Sequence, residues 1–411
     1  MLCIKPRPKS LENRFFLLQE LTAIDSLQQS VTSSINYEVI MKKEKEFTMF
    51  SSVYREDLQR ISESSVIDFS ALKGSTVLIT GATGLVGSNL VRTFLYLNAV
   101  RGLDMQIVAL IRNREKAEQI FGDLRNGSPA LRQMTDSCLT FEICNLTEAS
   151  AEEICAGRDV DYIFHTAGIT ASKLMVTKPA ETLDASILGT RTILRLAAKK
   201  KCRSVVYLSS MEMYGTCSTD PVTEKDLGYI DPLKVRSNYP ESKRLCENMC
   251  IAYLSEYQVP VKIARLAQTF GAGILPTENR VFAQFARSVR KGEDIVLHTK
   301  GLSDGNYCYL SDAIEALLVI LMKGSNGEAY NVANEAAHTT IADMAKMVCE
   351  KISGGKSGVV FDIPEDNVYG YAQDVKMRLS SEKLQSLGWR AKIGLEDAYR
   401  RLIRDMDERG L

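Results

Sequence analysis

Tyr239 and Lys243 stand four residues apart, with Pro240, Glu241 and Ser242 between them. The residues that follow are strongly helical and Pro240 suits a first helical turn, so the two side chains are expected on one helix face. That spacing has a chemical use. A phenol of pKa about 10 is a poor base near neutrality, and a neighbouring ammonium favours its anion; a three-unit reduction corresponds to about 4 kcal/mol. The tyrosinate can then take a proton while hydride leaves a carbinol carbon. Ser210 lies just past the apolar run Ser204 to Ser209, at an expected strand end from which its hydroxyl can hydrogen-bond the same reacting oxygen. Ser210, Tyr239 and Lys243 then form one acid–base unit, and Tyr239 and Lys243 are expected against the cofactor as well.

A departing hydride needs an acceptor, and the sequence carries the turn that holds one. Thr76 to Thr80 is a short β-branched run, followed at once by Gly81, Gly84 and Gly87 and then a helical stretch from Ser88 to Leu97. Strand, glycine turn and helix in that order are the context a dinucleotide fingerprint requires. Gly81 permits the tight turn, Gly84 lets backbone N–H groups approach a pyrophosphate, and Gly87 lets the helix sit close to the strand. Thr83, Leu85 and Val86 share that turn and are expected against the cofactor.

The elements around the turn set the fold. Met105 to Ile111, Leu139 to Cys144, Asp161 to Thr166, Ser204 to Ser209 and Val261 to Leu266 each read as a buried strand, with helical segments between them. Alternation of this kind predicts an α/β protein with a Rossmann-type doubly wound parallel sheet. Ligands on such sheets bind beyond the carboxyl ends of the strands. Gly81, Asn145, His165 and Ser210 fall there, together with Leu146 and with Thr166, Ala167 and Gly168. At the end of the second strand no acid is present to hold a ribose 2′-OH, and Arg112 could hold a 2′-phosphate. That position favours NADP, and both NAD and NADP stay open.

Composition sets outer bounds. The 411 residues are 45% apolar and 25% charged, with 51 Lys+Arg against 51 Asp+Glu, as in an ordinary globular protein with room for more than one packing unit. The balanced charge offers no uniform basic field, which argues against nucleic acid or an anionic membrane as partner. Apolar stretches such as Ala313 to Met322 are shorter than the roughly 18 residues of a bilayer span. Ten cysteines lack any C-x-x-C pair, and none of the three histidines makes a metal-site spacing with them. Reduced thiols in a cytoplasmic protein are expected, with no metal.

Three regions follow. Residues 1–72 read as an N-terminal extension, with a helical pattern from Asn13 to Leu27 and a short amphipathic helix after Ser51 that turns Val53, Leu58 and Ile61 inward. The extension has neither signal-peptide nor transit-peptide makeup. Residues 73–268 form the nucleotide-binding Rossmann domain. Residues 269–411 form a smaller mixed α/β substrate lobe, partly interleaved with it. Its helices are expected at Val281 to Arg290, Asp312 to Met322, Ile341 to Lys351 and Leu395 to Arg409, with a strand at Ala329 to Ala333.

Taken together, the motifs T-G-A-T-G-L-V-G (80–87), H-T-A-G (165–168), S-S-M-E-M-Y-G (209–215), Y-P-E-S-K (239–243) and L-G-W (387–389) resemble an extended short-chain dehydrogenase/reductase. The resemblance is to the nucleotide-sugar epimerase, dehydratase and decarboxylase type and covers about residues 75 to 400. It is nearest in motif to UDP-glucuronate decarboxylases. It implies oxidation of a sugar C4 hydroxyl by hydride transfer to a tightly held NAD(P), then epimerisation, dehydration or decarboxylation, and usually return of the hydride. It also implies a nucleotide-sugar substrate and, by analogy, a homodimer formed through helices of the nucleotide-binding half.

Within that resemblance Glu212 bears on reaction type. Similar decarboxylases and GDP-mannose dehydratases carry Thr-Ser-Glu here, dTDP-glucose dehydratases carry Thr-Asp-Glu, and simple C4 epimerases usually lack the acid. Ser210, Met211 and Glu212 resemble the first group, and Met211 cannot supply the acid of the second. In the dehydratases this carboxylate removes the C5 proton after the C4 ketone has acidified it. Arg280 corresponds to a diphosphate clamp. Gln268 stands at a substrate position where relatives usually have Asn, and Ala272 stands where they have Pro. Gly305 occupies the place of an Arg seven residues before Asp312. Losing such a charged phosphate contact is costly, so either a basic residue such as Lys300 substitutes or the activity is weaker or different. The expected function is decarboxylase-like or 4,6-dehydratase-like catalysis. The alternatives are a UDP-sugar 4-epimerase and a cofactor-binding regulatory protein that has lost turnover.

Overall fold

The computed structural model describes residues 45–364 and 374–411; the helix expected at Asn13 to Leu27 lies outside them. Twelve strands are present among the described residues. They are β1 (Thr76–Thr80), β2 (Gln106–Ile111), β3 (Leu139–Ile143), β4 (Tyr162–His165), β5 (Ser204–Ser210), β6 (Val261–Leu266), β7 (Gln268–Phe270), β8 (Ile295–Leu297), β9 (Asp304–Tyr309), β10 (Ala329–Val332), β11 (His338–Thr340) and β12 (Val359–Phe361). Seven of them form one sheet in the order β10-β6-β5-β4-β1-β2-β3. Every neighbouring pair in it is parallel. Parallel neighbours need crossover helices, which cover both faces and bury the strands on each side.

Alternate residues of each strand feed two cores. Val77 and Ile79 of β1, Phe164 of β4 and Val206 of β5 face one layer, whereas Leu78, Ile163, Val205 and Tyr207 face the other. The first layer holds helices α1 (Ser52–Ser62) and α2 (Leu85–Arg101), and the second holds α3 (Pro179–Lys200) and α4 (Asn238–Tyr257). Helices α5 (Val281–Lys291), α6 (Leu310–Lys323) and α7 (Leu395–Glu408) complete the set used below. A three-stranded sheet, β11-β9-β7, and the pair β12-β8 stand apart from the main sheet.

One assignment from sequence is corrected. The segments Asp312 to Met322 and Ala329 to Ala333 were expected in the smaller lobe. Instead β10 extends the main sheet beside β6, with Ala329 opposite Ile263 and Val332 opposite Leu266. Helix α6 is buried from Leu310 to Leu321 and lies in the first core layer. A helix buried around its whole circumference, its acids Asp312 and Glu315 held by Arg60 and Lys392, cannot rest on the surface of a small lobe. It needs cover on all sides, and the space between the sheet and helices α1 and α2 provides it.

Candidate active site

The carboxyl edge of the sheet gathers the expected residues. Gly81 follows β1 directly at φ +61°, and a Cβ there would lie 2.8 Å from the Ala167 Cα. A Cβ on Gly87 would lie 2.4 Å from the Gly81 carbonyl oxygen. Only glycine lets β1, the turn and the segment after β4 approach so closely. Gly84 is the N-cap of α2 and has no side chain to cap the helix. The first N–H groups of α2 are therefore left for a ligand, at the positive end of a 17-residue helix. This arrangement fits a dinucleotide pyrophosphate. Thr83, Leu85 and Val86 lie partly exposed in the same turn.

His165 closes the floor of this turn and is buried. Its Nδ1 lies 2.8 Å from Thr80 Oγ1 and its Nε2 3.2 Å from Thr190 Oγ1. Burial, with the Lys243 charge second, lowers its pKa to about 3, so the ring is neutral and joins β1, β4 and α3. Thr166 donates to the Thr80 carbonyl at 2.6 Å, and the Ala167 N–H reaches Thr80 Oγ1 at 3.1 Å. A Cβ on Gly168 would stand 3.9 Å from Lys243 Nζ. Asn145 follows β3, exposed, and its side chain accepts from the Thr147 hydroxyl at 3.0 Å. Leu146 is buried beside Gly189. Arg112 is exposed past the end of β2, where Asn113 caps the next helix.

Ser210 ends β5, and its Oγ accepts from the Glu212 N–H at 3.2 Å. It thereby caps the short 3-10 turn Met211–Tyr214 that presents Glu212. Tyr239 and Lys243 share a face of α4, both buried. The Lys243 ammonium donates to the Leu208 carbonyl at 2.7 Å and lies 4.9 Å from the Tyr207 ring centre and 5.8 Å from that of Tyr239. The ammonium was expected to lower the Tyr239 pKa. The phenol is instead raised above the usual range, first by burial and then by the Glu212 carboxylate. The Ser210 hydroxyl, Arg236 and Arg280 oppose that rise. The reason is geometric: Lys243 donates to the Leu208 carbonyl of β5, and burial outweighs the groups that favour the anion.

Arg236 escaped the sequence reading, because it sits in a loop turn outside the quoted motifs. Its Nη2 donates to Glu212 Oε2 at 2.8 Å, and its guanidinium lies 5.8 Å from the Tyr239 ring centre. One cation thus orients the carboxylate and favours the tyrosinate. Arg236→Gln is expected to move the acidic limb of the pH–rate profile to higher pH, because the phenol loses an opposing cation while keeping its burial. Near neutrality the rate would fall by about tenfold for each unit of that shift. Arg236→Lys would recover part of it, and identical profiles for wild type and Gln variant would contradict the role.

The substrate side is arranged differently from the resemblance. Arg280 precedes α5, and its Nε and Nη2 meet Glu278 Oε1 and Oε2 at 3.0 and 2.7 Å. Its fork is thus shared with a neighbouring acid. Gln268 lies on β7 opposite Tyr307 of β9. Gly305 is on β9 too, and a Cβ there would stand 3.3 Å from Met211 Cε. The missing arginine and the unusual Met211 therefore face each other. Met211, Met213, Met377 and Leu379 form a small apolar cluster beside Ser210.

The chain is similar to known proteins along most of its length. The model of the NAD dependent epimerase/dehydratase family matches residues 77–333. UDP-glucuronic acid decarboxylase 1 of Xenopus tropicalis is 26% identical over 381 residues, covering 91% of this chain and 83% of that protein. The dTDP-D-glucose 4,6-dehydratase of Mus musculus is 23% identical over 330 residues, 80% of this chain and 87% of its own length. Among solved structures, UDP-glucuronic acid 4-epimerase from Bacillus cereus, in complex with UDP-glucuronic acid and NAD, superposes with a TM-score of 0.66 at 19% identity. It covers 81% of this chain and 99% of that one. At that identity the likeness establishes the fold. Among the described residues no helix is long and apolar enough to cross a membrane.

Proposed function

The chain belongs to the NAD dependent epimerase/dehydratase family, and from that premise we propose that it decarboxylates a nucleotide-activated uronic acid after oxidising sugar C4. The observation that carries this reading is the juxtaposition of Ser210, Tyr239 and Lys243 with the Arg236-held Glu212 at the carboxyl edge of β5. The bound dinucleotide would accept hydride from C4 and later return it. Tyr239, with Ser210 beside its hydroxyl, takes the C4 hydroxyl proton during oxidation and gives it back during reduction. The resulting β-keto acid breaks its C5–C6 bond, the electron pair passing to C5 and the C4 oxygen as carbon dioxide leaves. Ser210 and the Tyr239 phenol stabilise the negative charge that develops on that oxygen. Glu212, within the same turn, would orient a solvent water that protonates C5 and completes the step, the hydroxide left combining with carbon dioxide as bicarbonate.

Gly81, Gly84 and Gly87, with the turn residues 83–86, would hold the pyrophosphate, and Asn145, Leu146 and Thr166 to Gly168 the remainder of the cofactor. Arg112 would meet the adenosine ribose or its 2′-phosphate. Arg280 and Gln268 are proposed on the substrate side, Arg280 exchanging Glu278 for a diphosphate. We assign the chain to the cytoplasm, supported by nine unpaired cysteines among the described residues. A homodimer through α3 and α4 is supported by Leu245, Ile251 and Tyr257, apolar side chains exposed on α4.

The test is mass spectrometry of products after incubation with UDP-glucuronate, GDP-mannose and UDP-glucose, with NAD or NADP supplied. Loss of carbon dioxide from UDP-glucuronate is expected. Loss of water from a neutral hexose would move the reading to a 4,6-dehydratase, and isomers of unchanged mass to a 4-epimerase. A protein that binds dinucleotide and converts nothing would support the regulatory reading, which Gly305, with Met211 where its side chain would stand, favours.

A further inference from the structure

Helix α1 precedes residues 77–333, yet its side chains end on the two segments that flank the site. Asn89 lies in the second turn of α2. Its Nδ2 donates to the Leu85 carbonyl of the first turn at 2.7 Å and to the Gly273 carbonyl at 3.4 Å. Its Oδ1 accepts from the Tyr54 hydroxyl at 2.6 Å. Gly273 is at φ +83°, and a Cβ there would stand 2.7 Å from both Asn89 Oδ1 and Tyr54 Cε2. One amide side chain thus joins the first turn of the cofactor helix to a loop 184 residues away, and a phenol from α1 fixes which way it faces.

The same loop is held at its neighbouring amides. The Gly273 N–H donates to Asp405 Oδ2 at 2.8 Å, while Asp405 Oδ1 accepts from Ser51, the N-cap of α1, at 2.5 Å. The Ala272 N–H donates to the Tyr309 hydroxyl at 3.2 Å, which donates to Asp57 of α1 at 2.7 Å. Ser51, Tyr54 and Asp57 therefore reach residues 272 and 273, each through one intermediary. Those residues lie directly between Gln268 on β7 and the Glu278–Arg280 pair. Packing alone would be met by a phenylalanine at position 54. The buried hydroxyl adds direction, because a buried carbonyl oxygen left without its donor is costly.

We propose that Asn89, oriented by Tyr54, is a positioning residue that couples the pyrophosphate turn to the substrate-side loop 271–280. A dinucleotide seated on the first turn of α2 steadies Leu85 and hence Asn89, and Asn89 then tightens its hold on Gly273. Cofactor occupancy thereby orders the segment that carries Arg280. Two sites biasing one shared element is what coupling requires. The inference rests on the glycine turn being the dinucleotide site.

Hydrogen–deuterium exchange of the full chain, with and without NAD, tests it. In wild type, NAD is expected to slow exchange at residues 81–90 and also, by about fivefold or more, at 271–280. Tyr54→Phe is expected to keep the first protection and lose the second, and Asn89→Leu, which removes both donors, to do the same. Circular dichroism of both variants checks that the fold is kept, and either folded variant decides the question. Protection of 271–280 that persists unchanged in the variants, or is absent in wild type while 81–90 is protected, would overturn the proposal. A wild type unprotected at 81–90 would overturn the dinucleotide reading and this inference with it.

Discussion

Tyr239→Phe is expected to lower kcat by about 10²–10⁴-fold while leaving dinucleotide binding in place. The substitution deletes one oxygen from a buried ring on α4 and keeps the packing. What disappears is the hydroxyl beside Ser210 that is proposed to exchange a proton with the C4 oxygen. The pH dependence has a definite sign. Burial and Glu212 raise the phenol above its ordinary value, so the proton-accepting form is scarce at neutrality and the wild-type rate should climb as pH increases. In the phenylalanine variant that climb should vanish with the residual rate. Steady-state kinetics against pH, alongside equilibrium dinucleotide binding, check both points. A variant within about threefold of wild type would remove Tyr239 from the chemistry.

Glu247→Ala is expected to destabilise the fold by about 3–5 kcal/mol, seen as a lower denaturant midpoint. Glu247 lies one turn beyond Lys243 on α4 and takes three hydrogen bonds from Arg265 of β6, at 2.6 to 3.2 Å. Both side chains are almost wholly buried. The remaining Arg265 donors reach the Tyr214 hydroxyl and the Glu224 carbonyl, each at 2.9 Å. Removing the carboxylate leaves a guanidinium in the interior with its charge uncompensated. The double variant Glu247→Leu with Arg265→Met should recover much of the loss, because the pair's desolvation cost disappears with it. Since this pair ties α4 to the sheet, the single variant should also disturb the register of Tyr239 and Lys243 against β5. A single variant as stable as wild type would contradict this account.

The nucleotide-binding half was legible because its signals are local. The run Thr76 to Thr80 is β1 residue for residue, and the glycines that follow it are the close contacts their spacing implied. Ser210, Tyr239 and Lys243 could be placed at one sheet edge for the same reason, each being set by its own element. The second half was less legible. Helix α6 and β10 look in sequence like any helix and strand after a long insertion, and only the free edge of β6 and the first core layer explain where they go. Arg236 carries no periodic signal, and its bond to Glu212 exists only because Val235–Ser237 turns back toward the Met211–Tyr214 turn. Helix α1 was legible as amphipathic packing. Its contact with Tyr309 spans 252 residues, so the polar half of its work depends on tertiary folding.

Tyr239 and its neighbours are proposed to pass a sugar through a C4 ketone while the cofactor is briefly reduced. Stopped-flow absorbance at the reduced-nicotinamide band, in a single turnover of the NAD-loaded protein with UDP-glucuronate, tests this most directly. A rise followed by a fall as hydride is returned is expected, with release of carbon dioxide between them and neither phase in Tyr239→Phe. Carbon dioxide released with no transient reduction, or the same transient in Tyr239→Phe, would contradict it.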